Sequence, residues 1–66
     1  MNINKLKGKM VEKQVNVRTL ATMIGAERSS LYRKFNNAEK ITVGEAVKIK
    51  SALGLSDAEA CSIFFD

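Results

Sequence analysis

Helix starts and stops recur along this chain at short, regular intervals, and they leave room only for short helices. Thr42-Val43-Gly44-Glu45 and Ser56-Asp57-Ala58-Glu59 share one pattern. In it a hydroxyl accepts from the backbone N–H three residues on, and the glutamate there reaches back to the cap's own N–H. Asn16 is a further good N-cap. Gly25 and Gly54 stand where a helix end needs a left-handed residue. No proline interrupts the chain, and no segment alternates apolar and polar residues as a half-buried strand would. The punctuation implies an all-α fold.

The apolar residues follow the period that these boundaries set. A first helix is expected from about Ile3 to Lys13, with Ile3, Leu6 and Met10 on one stripe and Lys5, Lys9 and Lys13 on other faces. Gly8 weakens it locally. In the second helix Val15 staples onto Leu20 across the Asn16 cap, and Leu20, Ala21 and Ile24 share a face. The third begins just after Glu27, a mediocre cap, and runs to about Asn36, with Leu31 and Phe35 one turn apart. Asn36 and Asn37 close it, and asparagine tolerates left-handed geometry. The fourth carries Ala46, Ile49 and Leu53, with Val43 and Val47 beside them. In the fifth Leu55 staples onto Ala60, and Cys61, Ile63 and Phe64 supply the apolar face. Met10 and Met23 read as core filler.

At 66 residues the chain is one domain, 1–66, with a core of marginal size. Its one cysteine, Cys61, reads as a small buried hydrophobe in a reducing cytosol. The sequence has no histidine, which excludes a histidine-based metal site or catalytic triad. With scattered acids and no glycine-rich phosphate loop, no catalytic constellation, metal site or cofactor site presents itself, so an enzyme is not expected. No apolar run is long enough to cross a membrane, and no signal peptide is visible. The expected location is cytoplasmic.

Charge is placed unevenly. Residues 1–20 carry five bases and one acid, residues 21–40 four and two, and residues 41–66 two and four, which gives +4, +2 and −2 of the net +4. A polyanion should therefore meet the N-terminal two thirds.

The most informative stretch is Val17 to Asn37. Two short helices flank the tight turn Gly25-Ala26-Glu27, with small Ala21 where the second helix crosses and Leu20, Ile24 and Leu31 sealing the angle. Steps of about 100° per residue put Leu31 and Phe35 together and set Ser29, Ser30, Arg33 and Asn36 opposite them. Arg28 sits at the helix tip, with Tyr32 and Lys34 on the flanks. Arginine can bind guanine O6 and N7 with two hydrogen bonds, and serine can bond to several bases.

The run NVRTLATMIGAERSSLYRKFNN resembles the helix-turn-helix of the lambda-repressor and Cro family of phage and bacterial regulators, and ITVGEAVKIKSALGLS is similar to that family's fourth helix. The likeness spans roughly residues 3–64 and implies a five-helix DNA-binding domain with its helix-turn-helix in the second and third helices. The sequence departs from the family at Val17, often glutamine, and at Asn37, often glycine. By this resemblance the base-reading positions fall on Arg28, Ser29 and Arg33, flanked by Ser30, Tyr32 and Lys34. For Tyr32, packing, a phosphate and a thymine methyl stay open. Phosphate contacts fall on Asn16, Val17, Arg18, Asn36, Asn37 and Lys40.

The expected function is that of a phage or prophage Cro-like or short repressor on double-stranded operator DNA, in a bacterial host and with its nucleoid. A palindromic operator implies a weak homodimer on DNA, with contacts expected at Leu55, Ile63 and Phe65. The alternative is a protein-binding module of the same fold, such as an antirepressor, adaptor or antitoxin-like subunit.

Overall fold

The computed structural model describes residues 1–37 and 40–65. Among them run five α-helices and no strand: α1 Ile3–Glu12, α2 Val17–Ile24, α3 Arg28–Asn36, α4 Val43–Leu53 and α5 Asp57–Phe64. Each start but one is closed by a side chain. Asn16 Oδ1 accepts from the Thr19 N–H at 2.8 Å, and Thr42 and Ser56 form full reciprocal boxes with Glu45 and Glu59. Asn2 caps α1 through the Lys5 N–H, a start that the sequence reading did not single out. The exception is α3, where the Glu27 side chain makes no capping bond.

The helix ends are equally local. Gly25 (φ 69°) and Gly54 (φ 64°) are left-handed. Beyond them the Ala26 N–H reaches back to the Ala21 carbonyl at 2.9 Å and the Leu55 N–H to that of Lys50 at 3.0 Å, which satisfies carbonyls the helix leaves open. α1 ends in the same way, but with Gln14 in the left-handed position at φ 58°. The Val15 N–H donates to the Met10 carbonyl at 2.8 Å. Asn37 does not use the left-handed tolerance expected of it; its φ of −133° is extended.

Every helix contributes to one core, built on Leu6, Met10, Leu20, Leu31, Phe35, Ile49, Leu53 and Ile63. α2 packs on α3 and α4, and α1 packs on α5. The two terminal helices are also tied at the surface. The Asn2 N–H donates to the Ile63 carbonyl at 2.7 Å, Lys5 Nζ donates to Ser62 Oγ at 2.8 Å, and Lys9 pairs with Glu59.

Several expectations about which residues are buried or exposed are corrected. Leu55 and Ile63, expected at a dimer contact, are 6% and 2% exposed and belong to the core. Leu55 follows the glycine stop of α4, where the returning chain turns its side chain inward. Ile63 lies three residues after buried Ala60, on the same stripe of α5. Cys61 is one residue off that stripe and is exposed. Met23, read as core filler, is 49% exposed, and Val43 and Val47 are also exposed. No helix among the described residues is long and apolar enough to cross a membrane.

Candidate nucleic-acid interface

α3 has two faces of different chemistry. Leu31 and Phe35 are buried, while Arg28, Ser29, Tyr32, Arg33 and Asn36 are exposed. The core stripe thus turns the basic and polar residues outward, and Arg33 lies in the middle of that outward face. Toward the C-terminal end of the helix, Ser30, Arg33, Lys34, Asn37 and Lys40 line one shallow cleft. Residues expected at bases (Arg33), on the flank (Ser30, Lys34) and at phosphates (Asn37, Lys40) therefore meet in one place. Arg28 and Ser29 stand at the opposite, N-terminal tip.

Asn16, Val17 and Arg18 stand at the start of α2. The Asn16 carbonyl oxygen is taken by the cap, which leaves its amide NH2 to donate outward. The Val17 side chain packs partly against the core, so only its backbone N–H, one of the unbonded amides of the first turn, can hold an anion. Arg18 is exposed.

The cations fall into two groups. Lys9, Lys34 and Lys50 pair with Glu59, Glu45 and Asp57 respectively. Among the described residues Arg18, Arg28, Arg33 and Lys40 have no such ion-pair partner, and neither do Lys7, Lys13 and Lys48 on other surfaces. The unneutralised arginines are thus confined to α2 and α3.

Two bonds in this region were not foreseen from sequence. Lys34 Nζ donates to Glu45 Oε2 at 2.5 Å, and Glu45 Oε1 accepts from the Thr42 N–H at 3.0 Å. One carboxylate therefore caps α4 and holds α3, and Lys34 is already neutralised. Partial burial works to raise the Glu45 pKa, but the bonds from Lys34 and Thr42 outweigh it and hold the carboxyl below its ordinary value. The capping half was legible in Thr42-x-x-Glu45; the ion-pairing half joins two helices and has no local signal. The second bond runs from Ser29 Oγ to Glu27 Oε1 at 2.8 Å. It places an acid against a residue expected to read bases.

A second surface lies on α4 and α5. Val43, Val47 and Phe65 are 75%, 60% and 80% exposed, and with Ala46 and Phe64 they line an apolar groove. Of the residues expected at a dimer contact, only Phe65 is available on the surface.

No protein-family model, curated protein or solved structure matches this chain. What its surfaces bind must be read from their own residues.

Proposed function

We propose that this protein is a sequence-specific DNA-binding transcriptional regulator, with α2 and α3 as a helix-turn-helix and α3 reading the major groove. The observation that carries this reading is the outward face of α3. It presents two exposed arginines, serine and asparagine on one side of a short helix whose other side is anchored in the core. Those are donors suited to base edges and phosphates. The start of α2 and the cleft at Lys40 supply flanking phosphate donors, and the resemblance to the lambda-repressor and Cro family adds support. A Cro-like phage or prophage repressor acting at the bacterial nucleoid is the form this function takes.

One recognition helix reads too few base pairs to find a single operator in a genome. We assign the second half-site to a second copy of this chain, docked through the α4–α5 groove. The exposed Phe65 ring stands beside the recess of Val43, Ala46 and Val47, so a single surface carries both the projection and the hollow that a two-fold contact requires. Among the described residues lining it, Lys50 has the only charged side chain, and Asp57 neutralises it. Two copies can therefore approach without repulsion. The same groove is what favours the alternative, a module that binds another protein.

Binding to random and preferred duplex at low and high salt separates the two readings. A DNA-binding regulator binds both, more tightly to one, and loses affinity steeply between about 50 and 200 mM salt. Absence of binding to any duplex at low salt would leave the protein-binding module.

A further inference from the structure

Glu27 is the only acid between Asn16 and Asn37, the stretch proposed to face DNA. A carboxylate there repels phosphates, and it is not retained as a helix cap, because its side chain accepts no backbone N–H. What it does accept is the Ser29 hydroxyl proton, at 2.8 Å. A serine hydroxyl has one proton and two lone pairs. With the proton held by Glu27, Ser29 can present only lone pairs to a ligand. The second carboxylate oxygen is likewise an acceptor. The side chains of Glu27 and Ser29 at the N-terminal tip of α3 thus present acceptors only, beside the open first-turn N–H groups and the donor-only Arg28 side chain.

In the major groove only cytosine N4 and adenine N6 offer hydrogen-bond donors; guanine and thymine present acceptors at the equivalent positions. Resting on the DNA-binding reading above, we infer that Glu27 and Ser29 act together as a specificity element. They select cytosine or adenine, the amine-bearing bases, at one position on the strand facing the tip of α3. Ser29 is the contact and Glu27 the positioning residue that fixes its polarity. The inference changes the role expected of Ser29 from a tolerant contact to a discriminating one. It also gives the acid a use: guanine or thymine at that position would set lone pair against lone pair.

The test is selection from randomised duplex with wild type, Ser29→Ala and Glu27→Ala, followed by direct binding. The direct probe is the wild-type site with the amine of that one base replaced by hydrogen. Wild type should enrich cytosine or adenine at one half-site position and lose about tenfold in affinity on the amine-free probe. Ser29→Ala should show no preference there and bind both probes equally. Glu27→Ala, which removes the acceptor, should admit guanine and thymine, because a freed hydroxyl can donate, and should bind random duplex more tightly. If all three proteins select the same base, or wild type enriches guanine or thymine at every position the variants alter, this inference is overturned while DNA binding stands. If wild type enriches no site, both are overturned.

Discussion

At the scale of single residues, the proposal rests on Arg33. It lies opposite the buried pair Leu31 and Phe35, in a cleft with Asn37 and Lys40. Arg33→Ala should cost about 1–3 kcal/mol on a preferred site and relax selectivity at one or two base pairs, measured by fluorescence anisotropy on single-base variants of that site. Arg18→Ala or Lys40→Ala should instead weaken preferred and random duplex alike, each lowering the salt slope by about one. A residue far from this face carries a different kind of signal. Gln14 holds a left-handed backbone at φ 58° in a turn that elsewhere uses glycine. Relieving a strain of about 1 kcal/mol is partly offset by the greater freedom of unfolded glycine, so Gln14→Gly should raise stability by about 0.5 kcal/mol in urea unfolding.

At the scale of elements, contacts within a turn or two were legible and contacts between helices were not. The capping pairs Thr42–Glu45 and Ser56–Glu59 span three residues, and the glycine stops at Gly25 and Gly54 close bonds to carbonyls no more than five residues back, so the sequence displays both partners together. Leu31 and Phe35 betray the buried side of α3 by their spacing, and that spacing also places Arg33 outside. Which side of α5 is buried was not legible, because Ala60, Cys61, Ile63 and Phe64 offer apolar residues in several directions. The packing of α1 decides among them. Lys34 was expected to touch DNA, yet Glu45 occupies it from eleven residues away.

That pair has a measurable consequence. Glu45→Gln keeps a capping side chain and removes the ion pair. It should lower stability by less than about 1 kcal/mol while increasing affinity for random duplex and raising the salt slope by about one, as Lys34 is released. The α1–α5 contact should respond to pH. The side-chain bond from Lys9, with help from the Ser56 cap, lowers the Glu59 carboxyl to about 2, and Lys50 lowers that of Asp57. A carboxylate whose folded value is depressed contributes stability that is fully present above its unfolded value of about 4.5 and disappears as pH falls toward 2. Acid unfolding followed by circular dichroism should show this loss, and Glu59→Gln should be less stable at neutral pH with a flatter profile over that window.

At the scale of the whole molecule, basic and apolar surfaces are separate. Arg18, Arg28, Arg33 and Lys40 belong to α2, α3 and the segment after α3, while Val43, Val47 and Phe65 line a groove on α4 and α5. A contact that small implies association on the order of micromolar or weaker without DNA. The protein should sediment as a monomer when dilute and as a dimer on a palindrome with half-sites about 34 Å apart. Phe65→Ser should abolish the cooperativity without changing affinity for an isolated half-site. The groove has no bearing on whether α3 reads DNA at all, and that claim is tested most directly by selection of duplex from a fully randomised pool by the wild-type protein. A regulator that reads the groove with Arg28, Ser29 and Arg33 will enrich a two-fold motif with guanine in each half-site, and binding to it will exceed that to random duplex by about a thousandfold or more. A pool that stays random, or one whose motif is unchanged when Arg28 and Arg33 are both replaced by alanine, would contradict it.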